Sequence, residues 1–504
     1  MRAKDCALAI CSGLMLALAF PKIDIEPLAF FALIPLLCAL KDKGLKESFQ
    51  LSLLCGVIFN LVLFYWVVVV MMNYGGLSSP LALLLLIFMA GYLGIYIGLS
   101  FTVARFIERK KGLRMTVTLP FIWVFFEYGK SHLLTGFPWE NLGYSQFLSL
   151  PLVQIADITG VYGISFLVIL FNTSLFSLFT FWKEKKSIPW LEICLFLSLF
   201  SLTVFYGYHR IEYVQEKVKG GEELKVKLIQ PNINQAVKWD SAYQEKTMRI
   251  LESLSLTSSD DIPDLIIWPE AAVPFYFQAK GIYNRWVLNV IGQTHSYLLF
   301  GAPAFTREES QVKYHNSAFL FSPEGDILGR YDKIHLVPFG EYVPLKNVLF
   351  FVHKMVEDIG DFYPGKQPEV LSFQGKKLGV LICYEIIFPE LVWRYIQKGA
   401  SFLVTITNDA WFGRTSAPYQ HNSMATFRAI ENRVFVVRAA NTGITSIIDP
   451  AGRIISATEI FTKGVIIGKI RIVGSTTFYS RYGDIFVLIC FLFSLSFLVI
   501  RRKK

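Results

Sequence analysis

Long apolar runs alternate with short charged segments through residues 1–208 and return near the C-terminal end. Several runs approach the roughly 20 residues that an α-helix needs to cross a bilayer. They predict a helical membrane bundle of about eight spans, with seven in a membrane domain at residues 1–208 and an eighth, followed by a basic tail, at residues 484–504. The predicted spans are residues 6–20, 28–40, 51–72, 81–103, 115–126, 166–182, 189–208 and 485–500.

The first run permits a second interpretation. Arg2 and Lys4 precede it, and the small-residue sequence Ala17-Leu18-Ala19 lies near its end. This is also the pattern of a cleavable signal peptide. Under both interpretations the second span enters from the outer side, so both predict the same topology.

Composition and charge agree with a membrane protein. Hydrophobic residues make up 53% of the 504 residues, and the mean hydropathy is +0.45, which is high for a soluble chain of this size. Basic residues cluster where the positive-inside rule predicts cytoplasmic segments, namely both termini and residues 41–49, 105–114 and 183–187. The net charge of +10 is therefore a sign of topology and does not support nucleic-acid binding.

Residues 222–474 have a different pattern and are long enough for a domain with its own core. Short apolar runs such as DLIIWPE and SFLVTITND alternate with longer mixed segments, which is typical of central strands between helices. The sequences SPEGD (322–326) and DPAG (449–452) predict hairpin turns. The predicted class is α/β with paired sheets, and seven crossings from a cytoplasmic start put this domain outside the cytoplasm.

Three of these runs end in residues with useful chemistry. Glu270 follows DLIIWP, Lys333 follows GRYD, and Cys383 follows GVLI. Ligands of α/β folds collect at the carboxyl ends of strands. A thiol nucleophile needs a base or a nearby cation, and acyl transfer also needs a donor for the oxyanion. Glu270, Lys333 and Cys383 are therefore the candidate base, oxyanion stabiliser and nucleophile.

Each of the three residues also has an ordinary structural explanation, because a cysteine that ends an apolar strand is often a small buried hydrophobe. Cys383 is nevertheless the one cysteine of residues 222–474, so no disulfide can form within this domain. The sequence has no HxxxH or CxxC motif for a metal and no GxSxG motif for a serine nucleophile. Neither a metal nor a cofactor is predicted.

The sequence around these residues resembles the nitrilase superfamily, whose catalytic set is Glu, Lys and Cys in that chain order on an αββα sandwich. The membrane part narrows the resemblance to the apolipoprotein N-acyltransferase family, which completes bacterial lipoproteins. The matching segments are LTGFPWENLGYSQ (134–146), QPNINQAVKWD (230–240), IIWPEAAVP (266–274), DKIHLVPFGEYVP (332–344), ICYEIIFPE (382–390) and TNDAWFG (407–413).

The resemblance implies acyl transfer in two steps. Cys383 takes an acyl chain from a phospholipid as a thioester, and the α-amine of the diacylglyceryl-cysteine of an apolipoprotein then accepts it. Glu270 is implied as the general base and Lys333 as the oxyanion stabiliser. The implied location is the bacterial inner membrane, with the catalytic domain on the periplasmic side.

Further residues match positions of the family site. Supporting positions are matched by Glu341, Tyr384 and Glu385, and a substrate-handling tryptophan is matched by Trp239. Matching stretches without an assigned step contain Asn408, Asp409, Trp411 and His421. The apolar segments at residues 272–277 and 348–355 fit either a lipid-facing arm or buried core loops.

Two other functions stay open at this point. In a membrane-tethered amidase or hydrolase of the nitrilase type, water would resolve the thioester. A transporter with an accessory domain is less consistent with the sequence, because residues 51–104 contain no Asp, Glu, Lys, Arg or His, whereas polar pathways carry such groups.

Overall fold

The computed structural model describes residues 2–184, 190–257, 262–279, 281–308, 311–342, 362–474 and 476–499. The chain divides into two compact units. Unit 1 comprises Met1–Val68, Ser78–Glu212 and Tyr482–Lys504, and unit 2 comprises Val69–Leu77 and Tyr213–Arg481.

Unit 1 is helical, as its apolar runs predict, since a helix bonds its backbone groups internally and leaves none to meet lipid. The helices of the first 219 residues are α1 (Ala3–Leu18), α2 (Ile34–Leu40), α3 (Leu45–Leu63), α4 (Trp66–Asn73), α5 (Ser79–Lys111), α6 (Met115–His132), α7 (Leu150–Val153), α8 (Ala156–Thr159), α9 (Val161–Glu184) and α10 (Trp190–Lys219).

Four helices of the described residues are long and apolar enough to cross a membrane: Leu45–Leu63, Ser79–Lys111, Val161–Lys183 and Glu192–Lys219. Two of the predicted spans are interrupted. Residues 28–40 form a 3₁₀ turn at Glu26–Phe30 and then the short helix α2, whose first turn contains Pro35, because proline lacks an N–H and suits a helix start. Residues 51–72 are divided between α3 and α4.

Two kinds of contact stabilise the packing of unit 1, a close approach of two glycines and the hydrogen bonds of a buried asparagine. Gly56 of α3 and Gly94 of α5 lie so close that a Cβ at Gly56 would be 2.8 Å from Gly94 Cα, and small residues permit such an approach between helices. The buried Asn172 of α9 donates to the carbonyl of Ala29 and accepts from the Leu33 N–H, each at 2.9 Å. The Asn172 side chain therefore supplies hydrogen-bond partners to two backbone groups that lie outside the α-helices.

Unit 2 contains two six-stranded sheets, so the predicted α/β class is confirmed. Its strands are β1 (Glu222–Gln230), β2 (Leu265–Ile267), β3 (Tyr297–Glu308), β4 (Gln311–Phe321), β5 (Ile327–Asp332), β6 (Val370–Phe373), β7 (Lys376–Ile382), β8 (Phe402–Thr407), β9 (Val436–Ala440), β10 (Ser446–Ile448), β11 (Ile454–Ala457) and β12 (Gly464–Ile472). The remaining helices are α11 (Ser241–Ser255), α12 (Ile282–Thr294), α13 (Pro389–Gln397), α14 (Ala417–Asn432), α15 (Phe478–Tyr482) and, in unit 1, α16 (Ile485–Val499).

The strand orders are β12-β1-β2-β3-β4-β5 and β11-β10-β9-β8-β7-β6. In each sheet three neighbouring strands run parallel, β1-β2-β3 and β7-β8-β9. The predicted turns at residues 322–326 and 449–452 join antiparallel pairs, β4 to β5 and β10 to β11. The sequence pattern did not predict β6 or β12.

A hydrophobic core packs one sheet against its helices. The core includes Trp268, Phe300 and Phe319, together with residues of α11 and α12. Ala272, Val273 and Phe277 belong to the same core, so a lipid-facing arm at residues 272–277 is ruled out and the buried alternative holds. Residues 348–355, the other candidate arm, lie outside the described residues.

Candidate active site

The three candidate catalytic residues lie at or just after the ends of strands in unit 2. Glu270 follows β2, Lys333 follows β5 directly, and Cys383 follows β7 directly. The three side chains are buried. Charges on Glu270 and Lys333 both act on the Cys383 thiol, so the fold brings residues that are distant in sequence into one site.

Cys383 occupies a sharp turn. Its φ is +54°, a left-handed conformation that is uncommon for residues other than glycine and often marks functional positions. Burial raises the pKa of the Cys383 thiol, the Glu270 carboxylate raises it further, and the Lys333 ammonium opposes both. The resting thiol therefore keeps its proton, and its attack on a carbonyl requires a base.

Lys333 forms the central ion pairs of the site. Its Nζ lies 2.9 Å from Glu341 Oε2 and 3.6 Å from Glu270 Oε1, and its side chain is 1% exposed. Burial acts to lower the pKa of Lys333, but the charges of Glu341, Glu270 and Cys383 outweigh it and raise the pKa above its ordinary value. Lys333 is therefore a permanent cation beside the thiol.

Two asparagines orient Glu270. Asn316 of β4 donates from Nδ2 to Glu270 Oε1 at 2.8 Å and to Glu341 Oε1 at 2.9 Å. The backbone N–H of Asn408 donates to Glu270 Oε2 at 2.9 Å. Asn316 was missed by the sequence analysis, because a single asparagine within a strand carries no motif.

Glu385 connects the Cys383 turn to the loop that follows Lys333. Its Oε1 accepts from Tyr331 Oη at 2.7 Å and from the N–H groups of Ile334 and His335 at 2.7 and 3.1 Å. Its Oε2 accepts from the Ile382 N–H at 2.7 Å. This single carboxylate therefore fixes the ends of β5 and β7, which belong to different sheets.

A buried polar network supports the Cys383 backbone. His421 Nε2 lies 3.1 Å from the Cys383 carbonyl oxygen, and since a carbonyl only accepts, this nitrogen carries hydrogen. His421 Nδ1 lies 3.0 Å from Arg438 Nη2 and 3.1 Å from Asp409 Oδ1. Burial lowers the pKa of His421, as does the Arg438 charge, which favours a neutral ring.

Asp409 anchors this network. Arg438 Nη2 donates to Asp409 Oδ2 at 2.6 Å, and Thr407 Oγ1 donates to Oδ1 at 2.8 Å. Burial acts to raise the pKa of Asp409, but the Arg438 charge and the hydrogen bond from Thr407 outweigh it and hold the pKa below its usual range. The carboxylate therefore stays ionised and keeps its partners in place.

The aromatic candidates lie around this centre. The buried ring of Tyr384 packs edge-on against Phe388, with ring centroids 5.1 Å apart. Trp411 packs against Tyr74 with centroids 4.7 Å apart, and Tyr74 Oη donates to the Ala410 carbonyl at 3.0 Å. Trp239 is half-buried in the turn that precedes α11. Among the described residues, no group of three His, Cys, Asp or Glu side chains is arranged to hold a metal ion.

Two domain families match the chain. Residues 12–174 match the apolipoprotein N-acyltransferase N-terminal domain, and residues 225–477 match the carbon-nitrogen hydrolase domain. Nit3 of Saccharomyces cerevisiae, a member of branch 10 of the nitrilase superfamily, is 19% identical with a TM-score of 0.39, and the match covers 50% of this chain and 92% of that chain. An amidase from Nesterenkonia sp. is 18% identical with a TM-score of 0.40, over 54% and 97%. The two family matches thus fall on the helical N-terminal region and on the α/β domain, respectively.

Three relatives that match this chain over most of their own length are apolipoprotein N-acyltransferases. The apolipoprotein N-acyltransferase of Geobacter metallireducens is 45% identical over 97% of this chain and 93% of its own length. Those of Rickettsia prowazekii and Chlorobaculum tepidum are 34% and 29% identical, over 80% and 96% of this chain and 79% and 94% of their own lengths. The chain therefore belongs to the apolipoprotein N-acyltransferase family.

Proposed function

We propose that this membrane acyltransferase moves an acyl chain from a phospholipid to the α-amine of the diacylglyceryl-cysteine of an apolipoprotein. In the first half-reaction Glu270 takes the thiol proton as Cys383 Sγ attacks the ester carbonyl. The ammonium of Lys333 stabilises the tetrahedral oxyanion. The lysophospholipid leaves with the proton from Glu270, and the acyl group stays on Cys383 as a thioester.

In the second half-reaction the α-amine attacks the thioester. Glu270 takes a proton from the amine, Lys333 again stabilises the oxyanion, and the thiol is restored as the amide forms. Glu341, Tyr384 and Glu385 support these groups, and Trp239 handles substrate. The reaction requires no metal or cofactor, since the base, the nucleophile and the oxyanion cation are side chains of this chain.

The grouping of Glu270 and Lys333 around Cys383 carries this proposal. The pKa of the buried thiol is raised, so a base must act, and Glu270 is oriented by Asn316 and Asn408. Lys333 is a buried cation whose charge interacts with the thiol. Base, cation and nucleophile are the parts that acyl transfer through a cysteine needs.

The membrane arrangement is part of the same proposal. Seven spans occupy a membrane domain at residues 1–208, the catalytic domain at residues 222–474 lies on the periplasmic side of the bacterial inner membrane, and residues 484–504 supply the eighth span and a cytoplasmic tail. Basic residues at the predicted cytoplasmic ends support this orientation. Both lipid substrates would then share the membrane with the enzyme, which supplies proximity.

Mass spectrometry of the purified protein tests the mechanism. Incubation with phospholipid alone should add one acyl mass to a peptide that spans Cys383, and hydroxylamine should remove it as it removes a thioester. A diacylated lipopeptide with a free α-amine should then discharge the enzyme and gain the acyl mass. Cys383→Ala should never charge.

Two outcomes would contradict the proposal. An adduct that forms equally on Cys383→Ala would exclude Cys383 as the acyl carrier. A charged wild-type enzyme that only water discharges, with release of a free fatty acid, would identify a membrane-tethered hydrolase of the nitrilase type instead.

A further inference from the structure

A second lysine lies beside the three candidate catalytic residues. The side chain of Lys238 is 1% exposed, and its Nζ donates to the Glu270 carbonyl oxygen at 3.0 Å. The charges of Glu270 and Cys383 both act on its ammonium. Lys238 therefore binds the backbone of the proposed base and lies within the electrostatic reach of the nucleophile, and the proposed acyl-transfer steps do not use it.

The local structure holds Lys238 in this position. Asn234 accepts from the Ala236 N–H at 3.0 Å and starts a 3₁₀ turn before Lys238, while Asp240 accepts from the Ala242 N–H at 2.9 Å and caps α11 after it. These side-chain caps satisfy backbone N–H groups on both sides of Lys238. The ammonium reaches the Glu270 carbonyl from this capped segment.

A buried ammonium needs an energetic explanation. Among the described residues, the carbonyl of Glu270 is the one hydrogen-bond acceptor of Lys238 Nζ, although an ammonium has three N–H donors. Burying a charge costs several kcal/mol unless nearby charges and hydrogen bonds offset it. Burial lowers the pKa of Lys238 to about 8, against the opposite effect of Glu270 and Cys383, so the cation persists at neutral pH.

The charges around the thiol explain why a second cation is useful. Glu270 and Asp409 raise the pKa of Cys383, and Lys333 lowers it. Lys333 is shared with a second carboxylate, Glu341, at 2.9 Å, and Asp409 is paired with Arg438. Without Lys238, the pair of carboxylates at Glu270 and Glu341 exceeds the single charge of Lys333.

We propose that Lys238 is a positioning and charge-balancing residue of the acyl-transfer site, which stabilises the developing Cys383 thiolate and holds the Glu270 backbone. This inference rests on the thioester mechanism proposed above and adds a second cation to it. The cation lowers the free energy of thiolate formation, and it does so while Lys333 is paired with Glu341 and Glu270.

Neutral and cationic variants separate charge from packing. Lys238→Met and Lys238→Gln both remove the charge, and Lys238→Arg keeps it. The matched control is Lys227→Met, because Lys227 is also buried and also donates to carbonyls, those of Ser255 and Thr257 at 2.5 and 2.8 Å. The measurement is the rate at which iodoacetamide alkylates the Cys383 peptide of the full-length enzyme at pH 7, where Lys238 is a cation and the rate follows the thiolate fraction.

Both neutral variants should slow Cys383 alkylation at pH 7 by about tenfold, since a nearby opposite charge shifts a pKa by about 1–3 units and each unit changes the thiolate fraction tenfold. Thioester formation from phospholipid at pH 7 should fall by about tenfold as well. Lys238→Arg and Lys227→Met should keep the wild-type alkylation rate. A residue that only packs would change none of these rates.

An unchanged alkylation rate at pH 7 in both neutral variants would refute the role of Lys238, whatever their stability. Alkylation needs no phospholipid, so its result is independent of the acyl-transfer proposal. If wild-type enzyme fails to form the thioester while Lys238→Met still slows alkylation, the proposed function fails and the charge effect stands. If the wild type charges and Lys238→Met charges at the same rate, the inference fails alone.

Discussion

Replacing Glu385 with glutamine should separate the two strand ends that carry Lys333 and Cys383. In the wild type one oxygen of Glu385 accepts three donors and the other accepts the Ile382 N–H. A glutamine that keeps the three donors on its oxygen turns its NH₂ group towards the Ile382 N–H. The opposite orientation is worse, because it turns the NH₂ group towards three donors.

The cost follows from the groups left unpaired. The Ile382 N–H and one amide hydrogen of the glutamine lose their acceptors, and each such buried donor costs about 1–3 kcal/mol. The expected loss of unfolding free energy is about 2–6 kcal/mol. For a unit of this size 1 kcal/mol corresponds to about 2–4 °C, so the melting temperature should fall by at least about 4 °C.

Thermal unfolding in detergent and thioester formation by mass spectrometry measure the two effects. Burial raises the pKa of Glu385 to about 7, so both assays are run at pH 8, where the wild-type carboxylate is ionised. Thioester formation should fall by about 10² or more, because small displacements of catalytic groups lower the rate by that factor.

Tyr331→Phe is the control, since it removes one donor to Glu385 and leaves no backbone N–H without an acceptor. A Glu385→Gln variant that melts and charges like Tyr331→Phe would refute the reasoning.

Four other changes follow from the site and the topology. Glu270→Gln and Lys333→Ala should each reduce thioester formation by about 10² or more, and near wild-type charging of either would exclude the proposed roles. Asp409→Asn breaks a buried ion pair with Arg438 and should cost about 3–5 kcal/mol in a chemical unfolding experiment. The pKa of Asp409 is held low in the folded state, so the wild-type pair stabilises the protein above about pH 4 and loses that contribution as the pH falls further; unfolding of Asp409→Asn should lack this pH dependence. A reporter inserted near Lys366 should be active on the periplasmic side, and activity confined to the cytoplasm would reverse the proposed topology.

Helix and strand positions were predictable where the local pattern is strong. Apolar runs identified the helical unit, and alternating short runs identified the α/β class, because hydrophobic periodicity is a property of neighbouring residues. The pattern did not show the interruption within residues 28–40, where Pro35 lies in the first turn of α2, and it did not predict β6 or β12. The strand β12 is held by its pairing with β1, about 240 residues earlier, which no local pattern records.

The candidate site was predictable where chemistry coincides with a strand end. Glu270, Lys333 and Cys383 stand at or just after the ends of predicted strands, and their order along the chain resembles a known catalytic set. Neither the position of Asn316 nor that of Lys238 in the sequence marked it as a site residue. Both are ordinary polar residues in sequence, and they matter because the fold sets their nitrogens 2.8 and 3.0 Å from oxygens of Glu270.

The sequence by itself therefore determined the two-part organisation, the α/β class of residues 222–474 and the three reactive side chains, since each depends on neighbouring residues and on side-chain chemistry. The tertiary structure decided the protonation and orientation of those side chains. Burial and the Glu270 charge raise the pKa of Cys383, whereas the charges of Glu341, Glu270 and Cys383 keep the pKa of Lys333 high against the opposite effect of burial. Glu385 ties together two sheets through donors about 50 residues away. Such effects depend on distance through space, which the order of residues along the chain does not contain.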